Sequence, residues 1–120
     1  MPVDKKVSEM LVAVSGDLLQ TVDNQMEMQA HLDLIKTAWN MATESGEVRT
    51  VELKCFIDRQ RNYAPSIEAL KELEWEIRRI VKQKDKLFPE VKSKVVNAEA
   101  VEKGKDDYII RAYFETEGSK

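Results

Sequence analysis

Glycine, proline and cysteine are scarce in this sequence of 120 residues, which has four glycines, three prolines and one cysteine. Sandwiches and barrels with many strands need a turn about every 8–12 residues, so this composition disfavours them. The single cysteine, Cys55, excludes a disulfide within one chain and a cysteine-based zinc site within one chain. A lone thiol suits a reducing compartment, so we expect a cytoplasmic protein.

Long apolar runs are also missing from the sequence. No run of about 18 apolar residues is present that would span a membrane. No secretory signal with an apolar stretch and a cleavage site is visible at the start of the sequence. We therefore expect no membrane partner.

Apolar and charged residues are both plentiful, at 42% and 34% of the chain. The apolar share is enough for a core without a disulfide or a metal, so no cofactor is expected. The length is that of one ordinary domain, and the high charge is typical of helical proteins with much surface. We expect one helical domain over residues 1–120, with frayed ends at 1–3 and 117–120.

Charge is unevenly distributed along the chain. Residues 1–53 carry four basic and nine acidic side chains, a net charge of −5, whereas residues 54–94 carry eleven and seven, a net charge of +4. Residues 95–120 carry four and six, which brings the whole chain to −3. This asymmetry fits self-association through opposite patches, or a basic surface for an acidic partner or nucleic acid.

A stripe of apolar residues runs through the first third of the chain in steps of four and three. Such spacing keeps one face of a helix directed at a partner, as in a coiled coil. Only Thr21 and Gln25 are polar among the members of the stripe: Val7, Leu11, Val14, Leu18, Thr21, Gln25, Met28, Leu32, Ile35, Trp39 and Ala42.

The stripe leaves two structures open for residues 4–43. One helix of this length would be about 60 Å long, too long for a monomeric globule about 30 Å across, so it would pack on a second chain. The alternative is a break, either near 15–17, where Gly16 disfavours a helix, or near 22–24. Gly46 is expected to end this helical unit.

Residues 48–63 fit either a strand or a helix, and we favour a helix. The next helix is expected to start at Pro65 or Ser66, to follow an apolar stripe through Leu70, Leu73 and Ile77, and to stop at Pro89. A further helix is expected at 90–103, with Gly104 just past its end. After a turn at 105–107, alternating residues from Tyr108 predict a C-terminal strand of about eight residues. That strand would pair with residues 51–57, with another subunit or with a partner protein.

The predicted fold is therefore mainly α-helical: a bundle of four or five helices with a short C-terminal β-strand, or a small α+β domain. We expect this bundle to work through apolar helix faces. The candidate interface residues lie on two of the predicted helices, and they are Leu32, Ile35, Trp39, Leu70, Leu73, Trp75 and Ile77. Trp75 lies beside its stripe between two glutamates, as an exposed interface anchor would.

A basic segment at 78–86 offers a second kind of surface. Together with two arginines upstream, it gives a candidate basic patch of Arg59, Arg61, Arg78, Arg79, Lys82 and Lys86. Phosphate contacts need such charges, although the chain as a whole is acidic and nucleic-acid-binding domains are usually basic. A solvated helix face is the plainer interpretation.

Catalytic chemistry has little support in the sequence. His31 is the only histidine, with Glu27 one turn before it, whereas metal-binding bundles pair a carboxylate with a histidine on each of two helices. The spacing of Glu44 and Glu47 resembles that of all-α nucleotide pyrophosphohydrolases, but no Glu-x-x-Asp pair follows. Cys55 lies in the apolar phase of its segment, which predicts a buried, inert thiol. No catalytic or metal-binding residue is assigned.

The function we expect is that of a small, non-catalytic cytoplasmic protein that acts in protein–protein interaction or assembly, as a homodimer or as a complex subunit. The alternative is a nucleic-acid-associated or regulatory protein that uses the basic face at 78–86. A helical enzyme dependent on a metal or a nucleotide is a distant third.

Overall fold

The computed structural model describes residues 3–16, 18–21, 24–104 and 107–115. The elements are four α-helices, one short 3₁₀ turn and two β-strands. In chain order they are α1 (Val3–Ser15), the 3₁₀ turn (Leu18–Thr21), α2 (Gln25–Ala42), α3 (Gly46–Gln60), α4 (Ile67–Leu87), β1 (Val95–Gly104) and β2 (Asp107–Phe114). Of the ends predicted to fray, at 1–3 and 117–120, Val3 is the first residue of α1 and the others lie outside the described residues, as does most of the predicted turn at 105–107.

The first helical stretch is broken, so a single helix over residues 4–43 is excluded. α1 ends at Ser15, and Gly16 follows with a φ of +64°. A side chain at position 16 would be strained by that φ, and its Cβ would lie 2.8 Å from Nη1 of Arg79. Asn24 begins the next helix, because its Oδ1 accepts a hydrogen bond from the backbone N–H of Glu27 at 2.8 Å.

Residues 46–60 form a helix, as favoured, and not a strand. The predicted role of Gly46 is wrong, since α2 already ends at Ala42 and Gly46 is the first residue of α3. Thr43 ends α2 instead, and its backbone N–H donates to carbonyls of the last turn.

The predicted helix after Pro65 is confirmed as α4. Ser66 begins it, with its Oγ accepting from the backbone N–H of Ala69 at 3.1 Å. The helix ends at Leu87, two residues before Pro89, which cannot continue it. Leu70, Ile77 and Ile80 are buried along one face.

The helix predicted at 90–103 is wrong, and no fifth α-helix occurs among the described residues. Residues 95–104 instead form β1, which pairs antiparallel with β2. The C-terminal strand is therefore confirmed, but its partner is β1 and not the helical segment 51–57. The register places Ala98 opposite Ala112 and Ala100 opposite Ile110.

The core lies between the helices α1, α2 and α4 and the inner face of the sheet. α2 contributes most to it, with seven buried residues. Trp39 is at its centre, fully buried, with the rings of Phe88 and Phe114 each 5.9 Å away. In the described part of the chain, no helix combines the length and the apolar character needed to cross a bilayer.

Candidate functional site

A concave groove lies between α3 and α4. Its volume is about 580 Å³. Helix residues spaced three and four apart line both of its walls, as expected where two helices diverge. The α3–α4 groove is lined by Met41, Gly46, Arg49, Thr50, Leu53, Lys54, Ile57, Asp58, Arg61, Glu74, Ile77, Arg78, Val81, Lys82 and Asp85.

The floor of the α3–α4 groove is apolar. Met41, Leu53 and Ile77 are buried there, and Ile57 and Val81 are half-buried. Leu53 is the one buried residue of α3, so this helix covers the floor only partly. The apolar surface of the floor that remains accessible to solvent is therefore mainly that of Ile57 and Val81.

Arg49 closes one end of the groove and links three helices. Its Nη1 and Nη2 donate to the two carboxylate oxygens of Asp85 on α4, both at 2.8 Å. Its Nε donates to the carbonyl of Glu44 at 3.0 Å, and Nη2 also donates to the carbonyl of Ala42. Ala42 is the last residue of α2, where helix carbonyls lack intrahelical partners, and Glu44 lies just past that end.

Two arginines toward the other end of the groove also form ion pairs. Arg78 forms two hydrogen bonds with Glu74, at 3.0 and 2.8 Å, within α4. Arg61 contacts Asp58 at 3.2 Å, and both of these side chains are largely exposed. Each of the three carboxylates on the groove is thus already paired with an arginine.

Two lysines on the groove lack such partners. Lys54 on α3 and Lys82 on α4 are exposed, and neither makes a hydrogen bond or an ion pair with the described residues. The groove is lined by five cationic side chains and three carboxylates, so its net charge is positive. The two unpaired lysines account for this net charge.

The structure divides the predicted basic patch. Arg61, Arg78 and Lys82 line the α3–α4 groove, whereas the other three residues do not. Arg79 is only 25% exposed at its side chain, pairs with Glu76 and donates to the carbonyl of Ser15 at 2.8 Å. It therefore ties α4 to the end of α1.

The remaining two members of the patch lie apart from the groove. The guanidinium of Arg59 is 6.0 Å from the ring centroid of Phe56, and Lys86 is exposed. Sequence reasoning missed Arg49 and Lys54. The usable signal was the helical spacing of Arg49, Leu53 and Ile57, once 48–63 was interpreted as a helix.

The predicted interface residues lie mostly inside the chain. Leu32, Ile35, Trp39 and Ile77 are fully buried in its own core, and Leu70 is 7% exposed. Leu73 is half-buried. Only Trp75 offers a large free surface, since it is 62% exposed.

A buried lysine lies next to Trp39 at the base of the core. Lys84 is 2% exposed, and its Nζ lies 5.1 Å from the centroid of the Trp39 ring and donates to the carbonyl of Val91. Burial lowers the pKa of Lys84 below its ordinary value of 10.5, while Asp85 offsets part of that shift. The positive charges of Lys92 and Arg49 also lower this pKa.

No catalytic cluster stands out in the described ranges. No group of three or more His, Cys, Asp or Glu side chains there could hold a metal ion. The prediction of a buried Cys55 is wrong, because α3 exposes this thiol on the side away from the groove.

The chain was compared with known proteins in three ways. Family models, curated proteins and solved structures all gave no match.

Proposed function

We propose that this protein is a non-catalytic interaction subunit whose α3–α4 groove binds an acidic, amphipathic helix of a partner protein. The observation that carries the proposal is an accessible apolar floor flanked by two lysines without partners. The proposal places the protein in the cytoplasm, where an exposed free thiol such as that of Cys55 stays reduced.

The shape of the groove favours a helix over a small ligand. Its lining residues on α4 span 74–85, which corresponds to about 17 Å along a helix axis. A partner helix of about three turns matches this length. Amphipathic helices bind such grooves with apolar residues at positions i, i+3, i+4 and i+7.

The charge of the groove favours an acidic partner. Arg49, Arg61 and Arg78 are neutralised by Asp85, Asp58 and Glu74, respectively. The unpaired ammonium groups of Lys54 and Lys82 stand on opposite walls, one on α3 and one on α4. Glutamates flanking the apolar stripe of a bound helix would pair with both, and these contacts would weaken as salt is added.

The experiment uses the full chain and a synthetic helical peptide of 15 residues. The peptide has leucines at i, i+3, i+4 and i+7 and glutamates on both flanks, and its matched control has lysines in place of the glutamates. Fluorescence anisotropy measures binding at low and high salt. We expect the acidic peptide to bind at least about tenfold more tightly than the basic one. Lys54 and Lys82 attract the glutamates of the acidic peptide, whereas they repel the lysines of the control.

Charge reversal tests whether the groove is the binding surface. The double variant Lys54→Glu with Lys82→Glu is expected to lose the preference for the acidic peptide. Its control, Lys71→Glu with Lys86→Glu, changes two exposed lysines outside the groove by the same charge and should retain the preference. Equal binding of both peptides, or equal effects of the two double variants, would overturn the proposal.

A nucleic acid is the other ligand class that the sequence suggests. The pairing of Arg61, Arg78 and Arg79 with carboxylates reduces the charge they offer to phosphates. A labelled random-sequence RNA and DNA duplex therefore serve as further probes. Salt-dependent binding of either one that Arg78→Glu with Lys82→Glu abolishes, with no binding of the acidic peptide, would replace the present proposal.

A further inference from the structure

A second exposed surface lies on the side of α3 that faces away from the groove. Val48 and Val51 are 38% and 61% exposed there, and the thiol of Cys55 is exposed as well. These three residues stand at positions i, i+3 and i+7, the spacing of one apolar helical stripe. None of them lines the α3–α4 groove. The outer face of α3 is the surface formed by Val48, Val51, Glu52, Cys55, Phe56 and Arg59.

One edge of the outer face carries an acid, an aromatic ring and a base. Glu52, Phe56 and Arg59 stand at positions i, i+4 and i+7, so they lie along the same side of the helix. The guanidinium of Arg59 is 6.0 Å from the ring centroid of Phe56, which is half-buried. Glu52 and Arg59 are exposed, and neither forms an ion pair with the described residues. This edge therefore has one unpaired charge of each sign.

We propose that the outer face of α3 pairs with the same face of a second copy of this chain, with the two helices antiparallel. A two-fold axis brings each edge of this face against the same edge of the other copy. With the axis between Cys55 and Phe56, Glu52 and Arg59 are equally far from it along the helix. Glu52 of each copy therefore lies opposite Arg59 of the other, which gives two ion pairs. A parallel pair would instead place like charges opposite each other.

The apolar residues of this surface fit the same arrangement. Tyr63 follows three residues after the end of α3 and is 80% exposed, and its backbone N–H donates to the carbonyl of Gln60 at 2.9 Å. Val48 and Tyr63 are equally far from the proposed axis, so Val48 of each copy lies opposite Tyr63 of the other. Each contact covers an exposed valine with an exposed aromatic ring. The two thiols of Cys55 lie next to the axis.

The size of the outer face sets the expected strength of this dimer. Residues 48–59 span about 17 Å along the helix axis, so one helix from each copy gives an interface at the small end of specific contacts. We therefore expect a dimer at high protein concentration that dissociates on dilution. The α3–α4 groove is lined by the other side of α3, so the dimer offers two grooves to partner helices.

The test measures the solution mass of the full chain by light scattering over a range of concentrations. Glu52→Arg places an arginine opposite Arg59 in both ion pairs and should raise the dissociation constant of the dimer at least about tenfold. Adding Arg59→Glu exchanges the signs, restores both pairs and should restore the dimer. Lys71→Glu, an exposed site on α4 outside both surfaces, is the control and should leave the dissociation constant unchanged. Circular dichroism checks that each variant keeps its helices.

Thiol cross-linking gives an independent measurement, because Cys55 is the one cysteine of the chain. A short bis-maleimide should join two wild-type chains covalently, since the two thiols lie next to the axis. The double variant Cys55→Ser with Lys86→Cys moves the single thiol to an exposed site on α4. It should lose the covalent dimer under the same conditions.

Three results would overturn the proposal. They are a wild type that is monomeric at all concentrations, a dimer that Glu52→Arg leaves unchanged, and equal cross-linking at the two thiol positions. Failure of the double variant to restore a dimer lost in Glu52→Arg would also contradict the antiparallel pairing. Binding of the acidic peptide to the α3–α4 groove depends on Lys54 and Lys82 instead, so either proposal can fail without the other.

Discussion

Helices α2 and α3 have similar lengths, at 18 and 15 residues, but they are held in the fold in different ways. α2 buries seven residues and also uses Gln25, Gln29 and Asn40 to hydrogen-bond β1. α3 buries only Leu53, and its polar contacts with other described elements come from Arg49. A helix that buries one whole face and also hydrogen-bonds the sheet builds the core, whereas a helix attached along one edge leaves a groove.

The largest loss of stability is expected when the side chain of α2 at the centre of the core is removed. Trp39→Ala deletes a fully buried ring that contacts Phe88 and Phe114, and we expect it to lower the free energy of unfolding by about 3–5 kcal/mol. Urea denaturation measures this change. The matched substitution on α3 is Val51→Ala, whose side chain is 61% exposed, and it should change stability by less than about 0.5 kcal/mol. Similar losses for both variants would contradict the comparison.

A smaller, more local effect is expected at the link between the two helices. Arg49→Ala removes the hydrogen bonds to Asp85 and to the carbonyls at the end of α2. We expect a loss of about 1–3 kcal/mol, because the carbonyl of Ala42 at the end of α2 and that of Glu44 just past it lose a charged donor. Amide hydrogen exchange should show faster exchange in α3 with little change in α2. Arg59→Ala, on the same helix, is the control, and uniform loosening of the whole chain would contradict the prediction.

The smallest effect concerns Lys84, and it depends on pH. Burial lowers the pKa of Lys84 in the folded protein below 10.5, so the unfolded chain binds the proton more tightly. The free energy of unfolding of wild type therefore rises as the pH increases from the folded pKa toward 10.5. Lys84→Met lacks this contribution and should be at least as stable as wild type near neutral pH.

Urea denaturation of both proteins between neutral pH and pH 10 measures that difference. Any advantage of the methionine variant should shrink as the pH rises. Because Asp85 lies next to Lys84, Asp85→Asn is a useful second variant, and it should enlarge the advantage of methionine in the same background. A difference between Lys84→Met and wild type that stays constant with pH would show that Lys84 keeps an ordinary pKa.

Sequence reasoning succeeded where a local signal and its tertiary environment agreed. Ser66, Pro89 and the apolar stripe between them predict α4, because caps and helix breakers act within a few residues. The alternation after Tyr108 predicts β2 for the same reason. For residues 90–103 the local signal predicted a helix, since Val91, Val95 and Ala98 fit one helical face, but residues 95–104 form a strand.

The candidate site was predicted in part. Arg61, Arg78 and Lys82 belong to the predicted basic patch and line the α3–α4 groove. Arg79 has the same charge and lies beside Arg78, yet it binds the end of α1. The sequence therefore shows which residues are basic, but the carboxylates and carbonyls that folding brings close to them decide which of these residues stay unpaired.

The sequence by itself determined the mainly helical character, the bounds of α4 and the strand β2, since these depend on periodicity, caps and prolines within one segment. Tertiary structure decided the rest. Residues 95–104 become a strand because β2 and the amides of α2 satisfy their backbone groups on both sides. The apolar stripe of the first third packs into the chain's own core because the break at Gly16 lets α1 and α2 fold together, with Arg79 bound at the break. Both outcomes depend on contacts between residues far apart in the chain, which periodicity within one segment does not record.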